Sequence, residues 1–259
     1  GRGLRRLRWL LLRRSVDRFV AVNEESRSEL ESAGVDWSRI ASIPNGVDVS
    51  ATTSPSENRV GLRRELRLPP DAFIGTCVGR LIPRKRFEWA VEAWKQLVSE
   101  DPRPRVLLIL GDGPERGRLE SKAATLRDRG LVRFMGQVSR ETVIKLLSGS
   151  DCFVLPSESE GLSNALLEAM AAGAVPVVTR IRANLGIVSD RENGIVFDRR
   201  GELAPALAWL EDHPESLSRL SKQARETINS RFSIDCVGAR YLQLYQSLMT
   251  GLETRQRSS

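Results

Sequence analysis

An alternation constrains this chain more than any other feature. Six short apolar runs, FIGTCVG (73–79), RVLLIL (105–110), VRFMG (132–136), CFVLP (152–156), VPVVT (175–179) and GIVF (194–197), are separated by stretches of helical character. The intervening stretches are RFEWAVEAWKQLVSE, PERGRLESKAATLRDRG, SRETVIKLLSGS and SNALLEAMAAG. Strands that are apolar throughout, without a polar alternate, belong to sheets covered on both faces. Repeated strand–helix units of this length predict an α/β fold, a doubly wound parallel sheet of Rossmann-like type. Ligands of such sheets bind outside the carboxyl ends of the strands. The chemistry is therefore sought in the segments that follow each run.

The first fifty residues are organised differently. GRGLRRLRWLLLRR places six arginines in fourteen residues, with Leu4, Leu7 and Leu11 at helical spacing. It reads as a basic amphipathic helix. A strand is expected in DRFVAV (17–22). A helix over NEESRSELESAG follows, with Asn23 as its cap and Gly34 as its stop. RIASIPNGVDVS reads as a strand and a Pro-Asn-Gly turn, and the polar ATTSPSEN after it marks a domain boundary near residue 50. Beyond Glu202 the chain reads as helices, the last being SIDCVGARYLQLYQSLMTG.

Composition narrows the partners. The net charge is +7 and the sequence pI about 9.9, which suits nucleic acid, anionic membrane or phosphate-bearing ligands. Aromatics at 5% and the lack of any recognition motif argue against nucleic acid. Cys77, Cys152 and Cys236 are odd in number and widely spaced, so neither a disulfide framework nor a structural zinc is expected. No apolar run reaches the ~18–20 residues needed to span a bilayer, no secretory leader is expected, and a cytoplasmic location fits best.

Three strand ends carry candidate chemistry. RLIPRKR after the first run crowds Arg80, Arg84, Lys85 and Arg86 into one loop. It is either a phosphate clamp or a solvated basic loop. GDGP after RVLLIL is a glycine turn without dinucleotide-fingerprint spacing, and its role is read as architectural. The richest stretch is SESEGLSNALLEAMAAG (157–173), in which Glu160 and Glu168 have seven residues between them. A helix starting near Ser163 or Asn164, either of which can cap it, aims the N–H groups of Gly161, Leu162 and Ser163 at the crevice. That is a ready anion site. Glu168 lies one turn deeper on the same face, among core residues, where a carboxylate needs strong hydrogen bonds. A ribose diol would supply them; a nearby arginine is the plainer alternative. No D-x-D pair is present to hold a metal diphosphate, so no metal site is expected.

These words, in this order, resemble glycosyltransferase family four, the "group 1" retaining enzymes of GT-B fold. The matching segments are IPNGVD (43–48), GRLIPRK (79–85), GDGP (111–114), VRFMGQV (132–138), the 151–178 stretch, NGIVF (193–197) and RFS (231–233). The resemblance implies that residues 1–50 are the terminal part of an otherwise missing N-terminal acceptor domain. It makes 51–232 a donor-binding domain and 233–259 a helix and tail that cross back. It implies a nucleotide-sugar donor, UDP- or GDP-linked, with no further cofactor, and a glycan or lipid-linked acceptor. Arg80 and Lys85 would bind the diphosphate, Glu160 the transferred sugar and Glu168 the ribose. Gly79, Gly161, Leu162, Ser163 and Asn164 would complete the donor site, with the base near Gly136–Val138.

Three departures stand out. The family's Gly-Gly loop after VPVVT is replaced by RIRAN (180–184), which brings Arg182 and Ala183 toward the sugar. The sole histidine, His213 in EDHPES, is given no catalytic role. Position 86, commonly Gly, is Arg and is read as a surface variation. The basic first helix could also rest on anionic lipid at the inner face of the membrane. An ordinary helix of the missing domain is the favoured reading. A non-catalytic nucleotide-sugar-binding module is the alternative to the enzyme.

Overall fold

The computed structural model describes residues 15–49 and 55–257, with side chains for 15–49 and 59–250. The basic segment 1–14 lies outside them.

A two-stranded parallel sheet comes first, β1 (Phe19–Ala21) beside β2 (Ile40–Ser42), joined through α1 (Glu24–Ser32). Asn23 caps α1 by accepting from Ser26 N at 2.7 Å, and Gly34 takes φ 82° just past the helix. Ala21, Val35 and Ile40 form its small core.

The second sheet holds β3 (Phe73–Val78), β4 (Arg105–Leu110), β5 (Val132–Gly136), β6 (Cys152–Leu155), β7 (Val175–Thr179) and β8 (Ile195–Phe197). All pairs are parallel, in the order β5-β4-β3-β6-β7-β8. Counted within this sheet the order is 3-2-1-4-5-6, the doubly wound arrangement whose strand order reverses between β3 and β6. The helices are α2 (Pro55–Glu65), α3 (Phe87–Glu100), α4 (Arg116–Lys122), α5 (Ala124–Asp128), α6 (Arg140–Gly149), α7 (Asn164–Ala172), α8 (Arg182–Leu185), α9 (Leu203–Asp212), α10 (Pro214–Arg231) and α11 (Ile234–Arg257).

The period of two along each strand sorts the core. Leu107 and Ile109 of β4, with Cys152 and Val154 of β6, meet Phe87 and Trp94 of α3 and Leu207 of α9 on one face. Phe153 and Leu155 meet Leu166 and Met170 of α7 and Ile228 of α10 on the other. Val106 and Leu108 join that second face beneath Leu62 of α2 and Leu146 of α6. Both faces are covered, which is why no strand alternates with polar residues.

Three expectations are corrected, and His213 is placed. The segment read as a polar linker gives way at Pro55 to α2, whose Arg63 reaches into the protein. The Arg63 guanidinium donates to the carbonyls of Ala72 and Gly149, and to Asp151 Oδ2 at 2.5 Å. The single helix expected over 114–130 is two short ones, broken at Ala123, whose ψ of 1° leaves the helical region. Arg86 is more than a surface variation: its φ is 50°, the left-handed region that favours glycine. It is held there by an ion pair to Glu158 at 3.1 Å and by stacking on Trp89. His213 is half-buried, stacked on Trp209 between α9 and α10.

Cys77, Cys152 and Cys236 are free thiols, the first two buried, and burial drives the Cys77 and Cys152 thiols well above their usual range. No described helix is long and apolar enough to cross a membrane. Segment 43–49 is stitched to the start of α11: Val47 N donates to Phe232 O at 2.8 Å, and Ile234 N to Val47 O at 3.0 Å.

Candidate active site

The strand order reverses between β3 and β6, and the loops after these two neighbouring strands flank that switch point. After β3, Gly79 N donates to Leu110 O and Leu81 N to Asp112 O. The GDGP turn therefore backs the 79–81 loop directly. A Cβ on Gly111 would overlap the Gly79 carbonyl, and one on Gly113 the Leu81 carbonyl. Glycine is needed at both positions for close approach, in keeping with an architectural role for that turn.

The same loop delivers Lys85 to the end of β6. Lys85 Nζ donates to Glu160 Oε1 at 2.6 Å, and the two side chains are 12% and 7% exposed. Two candidates 75 residues apart thus meet across the switch point. The loops are tied a second time by Glu158 N donating to Arg84 O at 2.8 Å. Lys85 carries three donors and spends one on Glu160. Arg80 is exposed and forms no ion pair among the described residues.

Beyond Glu160 the chain turns into α7. Ser163 is its cap, accepting from Leu166 N at 3.4 Å, and Asn164 is the first helical residue. Asn164 Oδ1 accepts from Asn45 Nδ2 at 3.0 Å, a link to the first fifty residues. The N–H groups of Gly161, Leu162 and Ser163 donate to no protein acceptor among the described residues. The Leu162 side chain packs on the core, so only its backbone faces a ligand role.

Glu168 sits on α7 with 17% of its side chain exposed and accepts from Arg140 Nε at 3.0 Å. The plainer alternative for this acid, a nearby arginine, is the one the structure shows. The arginine is 62% exposed, at the first turn of α6, so water and salt screen the pair and its hold is weak. Val138, just before that turn, is half-buried against Leu62 and Leu146. Sequence reasoning missed Arg140, whose proximity to Glu168 depends on how α6 and α7 pack. It also missed Ser157, a fully buried residue past β6 whose Oγ has no partner, while its carbonyl accepts from Thr179 Oγ1 at 2.6 Å. Arg182 is exposed and Ala183 half-buried, on the short α8. No cluster of three or more metal-ligating side chains occurs among the described residues.

A parallel sheet in 3-2-1-4-5-6 order, with cations on one loop of its switch point and unpaired amides on the other, defines a Rossmann-like domain. The chain belongs to the group 1 glycosyl transferases: that family's model matches residues 59–227, and the Glycosyltransferase Family 4 model matches residues 1–51. It is 32% identical over 71% of its length to the lipopolysaccharide core biosynthesis glycosyltransferase LpsD of Rhizobium meliloti, covering 52% of that protein. It is 31% identical over 82% of its length to an Escherichia coli UDP-Gal:alpha-D-GlcNAc-diphosphoundecaprenol alpha-1,3-galactosyltransferase, covering 55% of it. The chain spans about half the length of the curated relatives it matches. In fold it is similar to Anabaena HepE, solved in complex with UDP and glucose, at a TM-score of 0.79 and 21% identity, covering 95% of this chain and 66% of that one. WaaG, a glycosyltransferase involved in lipopolysaccharide biosynthesis, aligns at a TM-score of 0.73 and 18% identity, covering 85% and 60%. The architecture is that of GT-B glycosyltransferases.

Proposed function

We propose that this chain carries the donor site of a retaining glycosyltransferase. The enzyme moves a sugar from a UDP- or GDP-linked donor to a hydroxyl of a glycan or lipid-linked acceptor. The observation that carries the reading is the meeting of Lys85 and Glu160 beside the unpaired amides of Gly161–Ser163. A diphosphate placed there takes the spare donors of Lys85, the free guanidinium of Arg80 and the positive end of α7. These groups neutralise it without calling for a metal. Glu160 is left to accept hydroxyls of the sugar, and Glu168 exchanges Arg140 for the ribose diol.

Transfer then proceeds by loosening of the anomeric bond toward an oxocarbenium-like state. Lys85 and Arg80 stabilise the charge that grows on the leaving diphosphate. A departing phosphate oxygen accepts the proton of the incoming hydroxyl, so no protein base is needed on the donor side. Removing one such stabilising donor costs ~3 kcal/mol of barrier. The cytoplasmic face of the membrane is the setting we favour for a lipid-linked acceptor.

The second reading is a nucleotide-sugar-binding module without turnover, because Lys85, Glu160 and the Gly161–Ser163 amides would hold a donor whether or not transfer follows. Titration with UDP and GDP, followed by assay of transfer and hydrolysis of nucleotide sugars, separates the two. Binding with turnover supports the enzyme, and binding without turnover in the longest natural form supports the module. No affinity for either diphosphate would sink both.

A further inference from the structure

Three bonds join the loop after β3 to the loop after β6, and they come from consecutive residues of the first. Glu158 N donates to Arg84 O at 2.8 Å, joining the two backbones. Lys85 Nζ donates to Glu160 Oε1 at 2.6 Å, the buried tie. Arg86 Nη2 pairs with Glu158 Oε1 at 3.1 Å, an outer tie whose side chains are 30% and 60% exposed. The bonds of Arg84 and Arg86, on either side of Lys85 in the chain, both end on Glu158.

Arg86 is also the joint between this loop and α3. Lys85 ends a tight turn over Pro83–Lys85, Arg86 follows at φ 50° and ψ 35°, and α3 begins at Phe87. A left-handed backbone is unfavourable for a residue that carries a Cβ, and glycine would adopt it freely. The Arg86 side chain makes no cap bond to α3 that could offset this. It reaches instead across to Glu158, with its guanidinium 4.8 Å from the centre of the Trp89 ring. The stack restrains the guanidinium, which lowers the entropy that a long side chain loses in forming an ion pair.

A donor whose diphosphate draws Lys85 and whose sugar draws Glu160 loosens the buried tie. The Arg84–Glu158 backbone bond and the Arg86–Glu158 pair are then what still joins the two loops through these residues. We propose that Arg86 and Glu158 form a latch that keeps Lys85 within reach of the donor diphosphate when the Lys85–Glu160 bond is given up. Both are positioning residues, acting through Lys85. The latch rests on the donor reading, and it gives a task to an arginine that stands where the resemblance leads one to expect glycine. Its rival is an Arg86 that meets the phosphates with its own charge. The two differ in sign at Glu158: freeing Arg86 from its acid would help a direct contact and harm a latch.

The test measures Kd by calorimetry for whichever of UDP and GDP binds the parent, in R86Q, E158Q, R86K and R86Q/E158Q. R86Q and E158Q are each expected to bind about three- to fivefold more weakly, the scale of an exposed ion pair. The double variant is expected to bind no more weakly than the weaker single one, because either change opens the same latch. R86K, which keeps a cation opposite Glu158, is expected to regain about half of the loss. Tighter or unchanged binding in E158Q overturns the latch, as does a double variant whose loss is the product of the two single losses. An R86K as weak as R86Q counts against the ion pair. Melting temperatures are expected to stay within about 2–3 °C of the parent, as for exposed substitutions. A lower melting temperature with unchanged affinity would make the pair scaffold and overturns the latch too. The two readings fail separately: a parent that binds neither diphosphate sinks the donor site and the latch with it, whereas a parent that binds and an E158Q variant that binds equally well sink the latch alone.

Discussion

The two ends of the six-stranded sheet both carry buried or nearly buried ion pairs, and they use them differently. At the amino end Arg63 and Asp151 are 8% and 9% exposed, and their polar atoms are well supplied with partners. Arg63 reaches three carbonyls as well as Asp151, and Asp151 also accepts from Ile74 N at 2.8 Å. Arg105, 1% exposed, likewise donates to Leu97 O and Asp101 O besides Glu211. At the carboxyl end Lys85 and Glu160 share one bond at 2.6 Å, and the neighbouring amides and Arg80 have no protein partner among the described residues. A buried charge whose bonds are complete is scaffold. One with donors to spare, at a switch point, is equipped for a ligand.

The largest effect should come from the amino end. Asp151→Ala strands Arg63 in the interior and should cost about 3–5 kcal/mol of stability, read as a lower denaturant midpoint. If it folds as stably as the parent, the scaffold half of the contrast is wrong. Next is Lys85→Ala, expected to slow sugar transfer by about a hundredfold or more, ~3 kcal/mol, with a smaller loss of melting temperature than Asp151→Ala. Equal unfolding by both variants would erase the difference between the two ends.

A third, smaller effect sharpens the site itself. Glu168→Ala should weaken UDP binding by about 2 kcal/mol, the scale of hydrogen bonds to a charged acceptor. It should also abolish the preference for UDP over its 2′-deoxy analogue, measured by calorimetry. A preference kept in the variant would remove Glu168 from the ribose. The smallest effect is Arg140→Ala, about 0.2–1 kcal/mol of stability and less at high salt, because its guanidinium is exposed. A cost comparable to that of Asp151→Ala would mean that the Glu168 pair is scaffold too.

Much of this was legible in the chain. Apolar runs 73–79, 105–110 and 152–156 became β3, β4 and β6 because a strand covered on both faces needs no information beyond its own hydrophobicity. Glycines 111 and 113 marked an architectural turn, and the structure adds what packs against it, the Gly79 and Leu81 carbonyls. Helix α2 was not legible: PSENRVGLRRE is polar, with a glycine inside it, and Arg63 finds its partner 88 residues away. The Arg140–Glu168 pair was equally hidden, because each residue looks ordinary in its own helix and they meet only when α6 packs beside α7.

By itself, then, the sequence determined the order of elements, the parallel sheet and the loops that would carry charge, since these follow from local hydrophobic period and turn chemistry. Tertiary structure decided which charges are complete and which are left with spare donors. That distinction separates Asp151 from Glu160. It depends on distances between segments far apart in the chain, and no local pattern encodes them.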